Sequence, residues 1–212
     1  MTDIASAENF SQRFTDIYRP VEHEVAGLTA AQLDFTSPKW DWASWSIRKN
    51  LNHMSFVAWA WFNDRWKLHL PTNSAVAYFQ DLTAKSMDEQ RDILNWLDAA
   101  GVLDRFRKST VVVLTVLSKE TPASMRAKWL PAANSGFMAQ VAAAHPTGYE
   151  ADPQAPGHYR ISFEATFRHI YYELTTHLYN IQRIKRAQGL KTVTKTPVEG
   201  YHTLPHWDRS EP

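Results

Sequence analysis

The strongest constraint in this chain lies in one stretch near its C-terminal end, FRHIYYELTTHLYNIQRIKR, from Phe167 to Arg186. Phe163, Phe167, Ile170, Leu174, Ile181 and Ile184 recur at steps of four and three, the spacing that keeps side chains on one helix face. His177 falls on that stripe where a leucine would be expected. Glu173 sits one turn before it and His169 one turn before that, so the three lean to the same side. Ser162 is placed to cap the start. Arg183, Lys185 and Arg186 occupy the last turns, and Gly189 follows as a stop.

A single histidine on an apolar face is ordinarily a core residue satisfied by one hydrogen bond. This one has a carboxylate four residues earlier, a neighbour on the helix surface. Glu beside His is also the pairing used for metal sites in helix bundles, where ligands project inward from facing helices. Two ligands hold a metal poorly, so a third must come from elsewhere. His169 and His177 are two turns apart, roughly 12 Å along the axis, too far to share one ion.

Cysteine is absent, which leaves His, Asp and Glu as possible ligands and removes any disulfide or protein thiolate. The 23 basic residues balance 22 acidic ones, so no field draws nucleic acid or an anionic membrane. MTDIASAENF lacks a basic segment followed by an apolar run, and the longest apolar run, Met54 to Phe62, is too short to cross a bilayer. The expectation is a soluble cytoplasmic protein without nucleic-acid or membrane partners. At 212 residues, one domain spanning 1–212 is expected, with 190–212 an extended C-terminal tail. Of nine tryptophans, Trp40, Trp42, Trp45, Trp59, Trp61 and Trp66 share one short segment. Clustered Trp makes a heavy core layer or the wall of a small-molecule pocket; core is the commoner outcome.

In chain order, Phe10, Phe14, Ile17, Val21, Val25 and Leu28 predict a first helix over 8–27, bent locally by Pro20. LTAAQLDF predicts a short turn capped by Thr29. A second long helix is predicted over 46–70, with Ile47, Leu51, Met54, Ala58, Trp61 and Arg65 on one stripe and His53 at its edge. Alone, His53 reads as a boundary residue, and His69 as a solvated helix-end charge. Ser86-Met87-Asp88-Glu89 is a capping box opening a third helix that reaches Gly101. VVVLTVL favours strand by propensity, yet no partner strand is evident, so 102–118 is read as a buried helix. Thr121-Pro122 starts a short helix through Trp129. Residues 131–158 read as loop apart from a helix near 137–144, with a lid over the site as one use for it. His202 and His206 flank Leu204-Pro205 and do not share a helix face. No phosphate-binding glycine loop and no Gly-x-Ser-x-Gly turn occurs. The motif search therefore returns His53 with Glu173 and His177.

Two of these segments resemble a known family. WASWSIRKNLNHM, Trp42 to Met54, is similar to the helix start of DinB-like (damage-inducible, YfiT-like) metal-binding proteins, where Leu-x-His follows a Trp-Ser-Ile-type opening. HIYYELTTHLYNI, His169 to Ile181, resembles the same family's last-helix signature, without the glycine usual after the last histidine; LTAAQLDF also fits. The resemblance implies an all-α fold, a four-helix bundle with short extra helices and long loops. It implies a divalent metal held by His53, Glu173 and His177, with Glu where the family has its middle histidine. Two histidines and a carboxylate suit Zn, Ni, Mn or Fe, or the site has become an ordinary polar pocket.

The resemblance further implies a metal-dependent transferase or hydrolase acting on a small molecule, with a low-molecular-weight thiol as cosubstrate. The Trp cluster and Tyr171 or Tyr172 are then expected to wall the pocket. The alternative is a non-enzymatic four-helix binding or structural protein, its polar residues a hydrogen-bond network. A homodimer is the default assembly.

Overall fold

The computed structural model describes residues 7–70, 97–133 and 136–212. The capping box at Ser86 and most of the helix read from it lie outside these residues. Among them the chain is mostly helical, and the helices follow the apolar spacing. The first predicted helix is split into α1 (Phe10–Asp16) and α2 (Tyr18–Val25), broken at Ile17. The break has a local cause. Pro20 has no N–H to bond back one turn, and its ring crowds the carbonyl of Asp16. Phe10, Phe14, Ile17, Val21 and Val25 still all face the core. Thr29 caps the short α3 (Ala30–Leu33) through a full capping box with Gln32.

Ser46 caps α4 (Ile47–Trp59) by accepting from the Lys49 N–H. The chain then winds wider, as a π-helix over Ala60–Arg65, with Trp66 N–H bonding five residues back to the Trp61 carbonyl at 2.8 Å. The wider turn consumes an extra residue and shifts the register. Arg65, placed on the apolar stripe by α-helical spacing, is exposed, and Trp66 is fully buried in its stead. His69 is exposed near the end, as expected.

The β-branched run is helical. α5 (Ala99–Leu117) starts from an Asp98 cap and passes through Gly101 without a break, burying Val112, Val113 and Val116. α6 (Pro122–Ala127) stops before Trp129, which begins a strand. An all-α chain is therefore not what forms. β1 (Trp129–Ala132), β2 (Tyr149–Ala151) and β3 (Tyr159–Ser162) make an antiparallel sheet in the order β1-β3-β2. Within 131–158 the expected helix forms as α7 (Phe137–Ala144), while stretches expected as loop on either side of it are strand. Strands of three or four residues are too short to show a period of two, which is why the pattern hid them. Gly148, at φ 100°, lets the chain pass Ser162 closely: its carbonyl accepts from Ser162 N–H at 2.7 Å, where a Cβ would lie 2.3 Å from the Ser162 hydroxyl.

β3 runs directly into α8 (Phe163–Ala187), capped by Ser162 through the Ala165 N–H. Its end is a Schellman motif: Leu190 N–H bonds the Lys185 carbonyl and Gly189 N–H, at φ 71°, the Arg186 carbonyl, each at 2.9 Å. α8 is the hub. It packs against α1, α2 and α4, and α5 packs against the same three. Residues 163–178 are buried on every face, not one stripe, because α6, β3 and the tail cover what those helices leave open.

The tail is pinned along α8. Arg183 donates to the carbonyls of Asp208 and Ser210, and Tyr201 N–H to the Thr176 hydroxyl. Glu24 of α2, fully buried, takes Lys185 Nζ at 2.5 Å and the N–H groups of Val193 and Thr194. Burial works against its charged form, but these hydrogen bonds outweigh it and hold its pKa below the usual carboxylate value. No helix among the described residues is long and apolar enough to cross a membrane.

Candidate metal centre

The packing of α4 against α8 brings together the three residues singled out in the sequence. Glu173 Oε2 lies 3.2 Å from His53 Nε2 and 3.3 Å from His177 Nε2. The ligand atoms of all three fall within 4.8 Å of one another, the one such group of His, Asp or Glu among the described residues. Ligand bonds of about 2.1 Å place neighbouring ligand atoms about 3.0 Å apart at right angles and about 3.4 Å apart at the tetrahedral angle. Both Glu173 edges fall inside that range.

A residue that the sequence reading passed over sets the chemistry. Asn50, fully buried one turn before His53, donates its Nδ2–H to the Ser46 carbonyl at 2.8 Å. Its Oδ1 is thereby turned to His177 Nδ1 at 2.7 Å, where it can only accept. His177 Nδ1 carries the proton, and in the neutral ring Nε2 presents a lone pair to Glu173. The signal in the sequence was faint: a polar residue among Ile47, Leu51 and Met54 on a face that should be apolar.

Electrostatics point the same way. Burial lowers the pKa of His177, more than the neighbouring carboxylate restores, so the ring is neutral at pH 7. Burial also opposes the charge on Glu173, but the two imidazoles beside it more than offset that, and its pKa lies below the usual carboxylate value. A bare lone pair and a carboxylate oxygen 3.3 Å apart repel unless a cation lies between them. Trp45 stacks on the His177 ring at 5.7 Å and meets His53 edge-on, holding both planes.

The cluster opens into a cavity of about 450 Å³. Its walls are Trp45, Phe56, Trp61, Phe137, Tyr201 and Trp207, so part of the Trp segment does form pocket wall while Trp66 is core. Tyr171 and Tyr172 do not line it. Tyr171 packs edge-on against Phe14, and Tyr172 against His145. The tyrosine that lines it is Tyr201, delivered by the tail, and Phe137 and Met138 of α7 close one side.

His169 lines the cavity but stays outside the cluster. Its Nδ1 meets the Tyr201 hydroxyl at 2.6 Å, and the same hydroxyl meets His145 Nε2 at 3.1 Å. Burial pushes His169 down to about 4, and burial with the nearby His169 and Arg168 charges puts His145 well below its ordinary value. Both rings are neutral at pH 7. No sequence signal linked His145 to Tyr201, 56 residues away. His202 is buried against the Tyr179 ring and takes no part in the cluster.

Searches of protein-family models, curated proteins and solved structures return no match to this chain.

Proposed function

We propose that the chain is a DinB-like protein, built as a four-helix bundle carrying a small sheet, that binds a divalent metal through His53, Glu173 and His177. We further propose that it acts on a small molecule as a transferase or hydrolase, with a low-molecular-weight thiol as cosubstrate. The observation that carries the metal reading is the pair of 3.2 and 3.3 Å edges from one carboxylate oxygen to two imidazole nitrogens, one of them stripped of its proton by Asn50. The resemblance of the α4 and α8 segments to that family supports the rest, together with an aromatic cavity standing over the cluster.

Three protein ligands leave positions free, and a divalent ion bound there supplies a water or thiol of lowered pKa and polarises a substrate group. The chain's own residues do the remaining work. Asn50 fixes the tautomer and plane of His177, as outer partners of metal-bound histidines do. Glu173 offsets the charge brought into a buried place. Trp45 shields one face of His177 from water, and Thr176, Asn180 and Gln140 offer polar contacts in an otherwise apolar pocket.

The competing reading is a metal-free hydrogen-bond network with no catalysis. It requires a proton between Glu173 and His177, which the Nδ1 proton held by Asn50 and the lowered pKa of His177 oppose. Metal content decides. Untagged protein should carry near-stoichiometric Zn, Ni, Mn or Fe, and His177→Ala should carry none. A wild-type protein that takes up no divalent ion, even when supplied, removes the metalloenzyme reading.

A further inference from the structure

We infer that the cavity takes a flat, apolar carboxylate, its anionic end held by Arg65 at the mouth and its body against Trp61. This inference deepens the proposed function and rests on it for the inner end of the ligand. It begins with the π-turn. Had α4 kept α-helical spacing, Arg65 would fall on the buried stripe; the wider winding releases it to an exposed position that still lines the cavity.

There the guanidinium lies over the Trp61 ring, 5.0 Å from its centroid. That contact occupies one side of the guanidinium, leaving N–H donors on the other to meet an acceptor. Arg65 forms no ion pair or hydrogen bond with any described residue. Its charge nonetheless reaches inward, since it is one of the groups that oppose protonation of His169.

The lining supplies the complement. Among the described residues Glu173 is its one acidic residue, and that charge belongs to the inner cluster. The remaining surface is mostly apolar, so among the described residues a negative charge at the mouth meets Arg65 and no carboxylate outside the inner cluster. A planar guanidinium binds a carboxylate through two parallel hydrogen bonds, and aromatic walls favour a flat body. From His53 to Arg65 is three turns of helix, about 18 Å of axis at α-helical rise, which the long side chains shorten. A ligand reaching from the cluster to Arg65 is therefore elongated, more than a single ring. The volume is of the size that small-molecule sites have.

The test uses calorimetric titration of 4-phenylbutyrate and its neutral counterpart 4-phenylbutanamide. Each is titrated into wild-type protein and Arg65→Gln, both metal-loaded and chelator-treated. Arg65 is exposed with no polar partner among the described residues, so the variant should keep the wild-type melting temperature. The acid should bind wild type about tenfold more tightly than the amide. Arg65→Gln should abolish that preference while leaving amide binding within about twofold.

Equal affinity for acid and amide in wild type overturns the inference. So does a preference that survives in Arg65→Gln. A preference that survives in the variant but vanishes on chelation places the carboxylate on the ion, overturning this inference and upholding the metal reading. A preference that depends on Arg65 in chelated protein upholds the inference even if no metal is ever found.

Discussion

His177 Nδ1 donates to Asn50 Oδ1 at 2.7 Å, joining residues 127 positions apart and leaving the other imidazole nitrogen bare towards Glu173. The bond reaches the cluster from behind, so its loss should loosen the metal rather than remove a ligand. Asn50→Leu is expected to weaken divalent-metal affinity about 10- to 100-fold, the usual effect of deleting such a partner. A chelator-competition titration measures this. Unchanged affinity would show that Asn50 only fills space.

Glu173→Gln keeps the shape and removes the charge. Metal binding should fall below detection by mass spectrometry at the stoichiometry wild type shows. Without metal, the variant should melt no lower than chelated wild type, since the Gln amide can donate to the bare His177 Nε2 that a carboxylate repels. Retained metal would mean that Glu173 is no ligand.

Tyr201→Phe deletes the hydroxyl shared by His169 and His145. Two buried ring nitrogens then lose their partner, and a stranded buried polar group costs about 1–3 kcal/mol. Urea denaturation should register a loss of that order. Because His169 lies outside the cluster, metal content should stay unchanged.

The ion pair of Glu24 with Lys185 ties α2 to α8 in a buried place. Lys185→Met strands the carboxylate and should cost about 3–5 kcal/mol, whereas the double variant Glu24→Leu, Lys185→Met should recover much of that. A double variant as unstable as the single one would place the cost in packing.

Acid should unfold the protein earlier than its carboxylates alone would. The folded pKa of His169 is about 4, and burial lowers His145 as well, both below the ordinary value of 6.5. A depressed folded pKa means that the unfolded chain binds the extra proton. The stability is complete above about pH 6.5 and falls as pH drops towards 4, by up to about 1.4 kcal/mol per pH unit for each ring. Around His169 the carboxylate of Glu173 opposes the shift, and His53 and Arg65 add to it. Melting temperature measured from pH 7.5 to 4.5 should fall with this slope, and His145→Phe should flatten it. A flat profile would mean that these rings are already protonated in the fold.

The helices of this chain were legible because they are written in local spacing. The steps of four and three in Phe163 to Ile184, the caps at Thr29, Ser46 and Ser162 and the stop at Gly189 act within a turn or two of themselves, and each is realised. His177 was legible for the same reason, as a polar group on an apolar stripe with Glu173 one turn before it. His53, alone a boundary residue, was linked to them only by the need for a third ligand and by the family resemblance, and the three do converge. Tertiary structure decided the rest. Three short strands become a sheet only when β3 has β1 and β2 on its two sides, because a strand satisfies its backbone through residues distant in sequence. The π-turn that exposes Arg65 and buries Trp66 answers to packing around α4, not to the spacing of its own residues. Tyr201 lines the cavity, and Asn50 and His145 bond to residues that line it, through partners 32 to 127 residues away. A hydrogen bond between side chains that far apart leaves no periodicity in either segment. It exists once folding has excluded water and left each polar group one partner.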